Sequence, residues 1–105
     1  MAQFDVYRNP SARQREVMPY MVEVQSNLLT GLPTRLMMPL GVPAVLPSAI
    51  PRGLCPRLDF GHERTYLLAH LASPFRVSEV GEPLGSVAAH ASVIVAALDA
   101  VLSGF

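Results

Sequence analysis

Few residues in this chain have types and spacing that could do chemistry. Asp59, Glu63 and Arg64 stand close together, and carboxylates and a guanidinium around one hairpin could do acid/base work on a substrate. The same charges around a turn more commonly form its solvated rim. His62, His70 and His90 are the histidines, and none of the three falls in a His-x-x-x-His or Cys-x-x-Cys pattern that would set ligands on one side of a metal. Cys55 is the single cysteine. It has no partner for an internal disulfide, no histidine or basic residue arranged to lower its pKa, and apolar neighbours that raise it, so it reads as a packing residue. Gly-x-Gly-x-x-Gly, Walker and Gly-x-Ser-x-Gly patterns are absent, which removes the usual anchors for cofactor and acyl-transfer chemistry. The residues argue for binding rather than for an enzyme, with no cofactor and no metal.

The elements that would hold a binding surface are legible from periodicity. Ser86 to Leu102 is almost wholly apolar, with Val87, Ile94, Leu98 and Val101 at helical spacing and alanine filling most of the rest. His90, Ser92 and Asp99 are its polar residues after Ser86, and a helix with so little polar face buries more than one side, in its own core or against a second chain. Ser86 is the expected N-cap, and Gly104 stands where a left-handed C-terminal residue is wanted. The run finishes at Ser103-Gly104-Phe105 without a polar tail, so the helix end is expected to be a surface in use.

Upstream of the helix the chain reads as strands. Gln3 to Tyr7 and Met18 to Val24 alternate and make a hairpin around Pro10 to Glu16, a polar stretch expected to be an exposed, mobile loop. Leu28-Leu29 runs into turn chemistry at Gly31 and Pro33, and Arg35 to Leu40 is a strand closed by Pro39 and Gly41. Pro43, Pro47 and Pro51 make Gly41 to Gly53 an irregular crossover with at most one turn of helix. Arg57 to Phe60 and Arg64 to Ala69 flank Gly61-His62-Glu63 as a hairpin, and Phe75 to Val80 is a last strand. The order is strands first, then one helix, over a single domain spanning 1–105.

Composition bounds the partners. A chain of 105 residues buries about 65% of its unfolded surface, so association would add to a modest stability. Eight basic and eight acidic side chains cancel, and the electrostatic footprint of a nucleic-acid binder is missing. The longest apolar run, Val93 to Leu98, is far shorter than the roughly 20 residues a bilayer crossing needs. With no signal-peptide pattern at the start, the setting expected is the bacterial cytoplasm.

Several segments together resemble the CcdB family of bacterial toxins: Gln3-Phe4-Asp5-Val6-Tyr7, Val22-Glu23-Val24-Gln25-Ser26-Asn27-Leu28-Leu29, Arg35-Leu36-Met37-Met38-Pro39-Leu40, Val77-Ser78-Glu79-Val80-Gly81-Glu82, and the closing helix. The resemblance runs over nearly the whole chain. It implies a β-rich α+β fold, an SH3-like small β barrel with a short extra sheet and a long C-terminal helix, forming a homodimer. It also implies a toxin of a toxin–antitoxin module. Two helix tips form a wedge that enters the A subunits of DNA gyrase and traps the enzyme while DNA is cut, and a CcdA-like antitoxin neutralises it. The family's gyrase-facing positions fall on Leu28, Leu29, Asp99, Leu102, Ser103, Gly104 and Phe105. Ser103 replaces a family tryptophan, and Phe105 is aromatic where the family is aliphatic. Two alternatives accompany this reading. One is a degenerate toxin that keeps dimerisation and antitoxin binding but has lost its target. The other is a MazF-like endoribonuclease on the same barrel, which would need basic and acid/base groups converging on a groove.

Overall fold

The computed structural model describes residues 2–104. Six short strands, β1 (Asp5–Arg8), β2 (Tyr20–Glu23), β3 (Thr34–Gly41), β4 (Tyr66–Leu67), β5 (Ser73–Arg76) and β6 (Gly85–Ser86), precede one α-helix, α1 (Ala91–Ser103). All pairings are antiparallel, in the order β4-β3-β2-β1-β6, with β5 also on β3. The fold is a small β-rich α+β: a curled antiparallel sheet, part of a barrel, with one C-terminal helix. The short extra sheet of the expected fold takes the form of a branch. The outer edge of β3 pairs with β5 over Thr34–Met37 and with β4 over Leu40–Gly41.

Pro39 explains where that edge divides. Its carbonyl accepts from the Leu68 N–H on the β4 side, so its missing N–H falls on the same side, at the gap between β5 and β4, where a donor has least to lose. The strand therefore continues through Pro39 to Gly41 rather than closing there. Packing is close at Gly41, where a Cβ would meet Val45 Cγ2 at 2.6 Å and Leu68 Cδ1 at 2.8 Å and both side chains would have to shift.

The register aligns one apolar set on each face. Val6 pairs with Val22 and Val22 with Met38, and these join Leu40, Leu58, Leu67, Ala69, Val87, Ile94 and Ala97 in the main core beneath α1. Alternate residues Tyr7, Met21 and Met37 form a second cluster, covered by Phe75 and Val80. Covering both faces is why Tyr7 and Glu23 are buried although alternation alone sets them opposite the valines.

Several boundaries differ from expectation, because hydrogen bonds, some within a turn and some from distant strands, capture the chain. The first strand begins at Asp5, since Phe4 has a left-handed φ of 72° while its N–H bonds Glu23 and its carbonyl accepts from Val87. Phe75 to Val80 is not one strand. It turns at Val77–Glu79 into a 3₁₀ helix, whose start is held by the Arg76 N–H donating to Glu79 Oε1 at 3.2 Å. Ser86 is not the N-cap of the long helix. Gly85–Ser86 is drawn into the sheet against Asp5 and Val6, Ser86 Oγ caps the N–H of Ala88, and α1 starts after a 3₁₀ turn over Ala88–His90. The hairpin around Gly61 forms by single bridges, Arg57 with Tyr66 and Phe60 with Glu63, and only Tyr66–Leu67 gains strand pairing.

The Pro10 to Glu16 stretch has polar anchors in place of apolar ones. Asn9 is buried, its Nδ2 donating to the Met18 carbonyl at 2.8 Å and its Oδ1 accepting from the Ser11 N–H. Arg15 Nε donates to the Asn9 carbonyl at 2.8 Å. These bonds wind the loop into successive turns and close its base, while Ala12 to Gln14 and Glu16 face solvent.

A buried charge sets a pH dependence. Tyr7 Oη donates to Glu23 Oε1 at 3.1 Å, and Arg35 Nε lies 3.5 Å from Glu23 Oε2. Desolvation nevertheless holds the Glu23 carboxyl above its ordinary value of 4.5, outweighing the stabilising Tyr7 bond and Arg35 charge. The folded state binds this proton more tightly than the unfolded chain does. Its contribution to stability is full below 4.5 and is lost as pH rises through the raised folded value. Thermal unfolding between pH 4 and 7 should therefore show a decline, about this window, that the Glu23→Gln variant lacks. Parallel profiles for the two proteins would show that Glu23 does not carry it.

Candidate functional site

Two apolar tips project from this frame. The first is the connection from β2 to β3, where Ser26 Oγ accepts from the Leu28 N–H at 3.1 Å and starts a 3₁₀ turn over Asn27–Leu29. That turn leaves Leu28 93% exposed. Leu29 and Leu32 beside it are about half exposed. An apolar side chain so fully in water is stabilised by nothing in its own protomer.

The loop is held from three sides. The Gln3 N–H donates to Asn27 Oδ1 at 2.8 Å. Gln25 Nε2 donates to the Thr34 carbonyl at 3.1 Å, and its Oε1 accepts from the Leu36 N–H at 2.9 Å. Beneath the turn, the buried Arg35 guanidinium donates to the carbonyls of Leu32 at 2.8 Å, Thr30 at 2.8 Å and Thr34 at 3.1 Å. These supports escaped the sequence reading. The available signal was a glutamate and an arginine, Glu23 and Arg35, inside otherwise apolar strands, where a charge survives only if something pairs it.

The second tip is the end of α1. Ile94, Ala97 and Ala100 bury one face, chiefly against the turn at Ala69–Leu71. Val93, Val95, Val101 and Leu102 stay exposed, Leu102 at 77%. Val101 shares the helix face of Ile94 at seven-residue spacing but, at the end of the packed region, is 41% exposed. Asp99 and Ser103 are exposed, and Ser103 Oγ donates to the Asp99 carbonyl at 2.6 Å. Gly104 ends the helix with φ 87°, its N–H returning to the Ala100 carbonyl at 2.9 Å, a closure that favours glycine because a Cβ is strained there. Phe105 lies outside the described residues. Leu28 and Leu29 thus share one loop, and Asp99, Leu102, Ser103 and Gly104 share one helix end. Two separate elements carry them.

The groups that could do chemistry do not converge. Asp59 forms an exposed ion pair with Arg57 at 2.9 Å, and hydrogen bonding to that guanidinium holds its carboxyl below the ordinary range. His62, Glu63 and Arg64 are exposed around Gly61, as expected of a solvated rim. Cys55 does have a histidine near it, His70 Nδ1 at 3.7 Å from Sγ, brought there by the fold and not by sequence proximity. Burial still pushes the thiol up, so the pair does not supply a thiolate nucleophile. Among the described residues no group of three metal-ligating side chains comes together, and no helix is long and apolar enough to cross a membrane. An open groove of about 750 Å³ is lined by Pro33, Thr34, Arg76, Val77 and Ser78, at the end of the Leu28 loop and away from the charged hairpin.

Compared with known proteins, residues 3–104 match the family model described as CcdB protein. No curated protein matches the chain.

Proposed function

The chain belongs to the CcdB family, and from that membership we propose that it is the toxin of a toxin–antitoxin pair, a homodimer that binds the A subunit of DNA gyrase and traps the enzyme without performing chemistry of its own. Leu28, Leu29, Asp99, Leu102, Ser103, Gly104 and Phe105 form the gyrase-binding surface. The observation that supports this most is the pair Leu28 and Leu102, 93% and 77% exposed on supported elements, since apolar anchors held in water gain their stabilisation only on a partner. A CcdA-like antitoxin neutralises the toxin in the bacterial cytoplasm, and the whole chain acts as one domain.

Ser103 favours a second reading, the degenerate toxin. An aromatic ring on a gyrase arginine is worth about 0.5–2 kcal/mol, which corresponds to roughly 2- to 30-fold in affinity. Ser103→Trp should therefore inhibit gyrase supercoiling at a several-fold lower concentration than the natural chain. Unfolding temperature should hardly change, because the side chain is exposed and its one bond is to its own helix. Deleting Gly104 and Phe105 removes the helix closure and should weaken inhibition. If all three proteins leave gyrase untouched while an antitoxin peptide still binds them, the degenerate reading replaces this one. The endoribonuclease reading has the weakest support, because its acid/base candidates stand exposed on a hairpin rim.

Dimerisation is proposed from the same helix. Val93, Val95 and Val101 add exposed apolar surface to a domain of modest size. Light scattering at micromolar concentration should give twice the chain mass of 11.3 kDa. A single chain mass would remove the two-fold wedge.

A further inference from the structure

The Leu28 turn is short and mostly solvent-exposed, and none of its own side chains is buried. Its shape must come from polar ties. Arg35 supplies four of them. The residue is 5% exposed, its two terminal nitrogens meet the carbonyls of Thr30, Leu32, Thr34 and, at 3.5 Å, Leu29, and its Nε faces Glu23. Glu23 is held in turn by Tyr7 Oη. A guanidinium is a planar fork with five donors, able to face a carboxylate on one edge and several carbonyls on the other, and a lysine ammonium cannot reproduce that spread. Of the carbonyls it gathers, that of Leu29 also accepts from the Leu32 N–H and that of Thr34 from Gln25 Nε2, so the fork completes a shared network around the turn.

We propose that Arg35 is the positioning residue of the Leu28 tip: it fixes the carbonyl side of residues 29–34 from below, so that Leu28 is presented outward in one conformation when the partner arrives. The role rests on the gyrase-binding reading for its purpose, but not for its physical content. Without the fork the turn samples other shapes, and the ordering entropy then opposes binding of a partner. Arg35 itself touches no partner.

Arg35→Lys tests this with two independent readouts. In the free protein, amide hydrogen exchange at Leu28, Leu29 and Leu32, whose N–H groups bond within the turn, should speed up about tenfold or more. Exchange at Val24, which bonds the Leu36 carbonyl across the strands, should keep its rate. An unchanged turn, or an equal acceleration everywhere, overturns the proposal, the latter reducing Arg35 to a general stability element. With the purified gyrase A protein, Arg35→Lys should weaken binding about tenfold in the natural background and hardly at all in a Leu28→Ala background, because the two act through one contact. Equal losses in both backgrounds overturn it too. If the natural chain does not bind gyrase, the functional reading fails, and the exchange experiment still decides the positioning role. Should Arg35→Lys fail to fold, the double variant Glu23→Gln/Arg35→Gln leaves no buried charge alone, and its exchange pattern is read by the same criteria.

Discussion

Leu28→Asp should abolish inhibition of gyrase supercoiling, with a loss of about a hundredfold or more, while moving the unfolding temperature by no more than a degree or two. The two halves follow from one number. Leu28 is 93% exposed, so its side chain contributes almost nothing to the protomer core, and surface substitutions of this kind stay within about 0.5 kcal/mol. Its backbone role is kept by Ser26 Oγ, which receives the residue 28 N–H whatever the side chain. At an interface the balance reverses. An apolar anchor in a desolvated pocket is worth roughly 2–4 kcal/mol, and a carboxylate forced into the same pocket adds a desolvation penalty of several kcal/mol. Titrating purified gyrase with both proteins, alongside thermal unfolding, checks the expectation. Full inhibition by Leu28→Asp would remove this loop from the binding surface.

The second large effect is on stability. Ile94 is 1% exposed in the main core, and truncating it to alanine removes buried methylenes and leaves a cavity, at a cost of about 2–5 kcal/mol. For a domain of this size each kcal/mol is worth roughly 4–8 °C in unfolding temperature, so the Ile94→Ala transition should fall by about 10–30 °C. Val95, the next residue, is half exposed. Val95→Ala should cost little in the protomer. Any cost it does show should fade on dilution, because it acts through association of two copies, whereas the Ile94→Ala cost belongs to the protomer's own packing. Thermal unfolding of both variants over a hundredfold range of concentration separates them. Equal, concentration-independent shifts would place Val95 in the protomer core.

Much of this molecule was readable from residue types alone. The alternation around Val6 and Val22, the proline-broken crossover and the apolar closing helix with Gly104 beyond it depend on period, turn chemistry and backbone conformation, which act over a few residues. The segments resembling the CcdB family carried the fold class with them, and residues 3–104 match that family.

Tertiary structure decided what is held and by what. That Gly85–Ser86 leaves the helix for the sheet depends on Asp5 and Val6 offering an edge some eighty residues earlier. That Val101 is 41% exposed while Ile94, on the same helix face, is buried depends on what packs beneath each end of α1, which no helical period contains. Glu23 and Arg35 read singly as charges in strands, and only the register that sets Glu23 opposite Met37 and closes both faces of the sheet turns them into a buried pair beneath Leu28. Local patterns specify which elements form. Long-range pairing specifies which side chains lose their water, and it is the loss of water that makes a charge a support and leaves an exposed leucine as a contact.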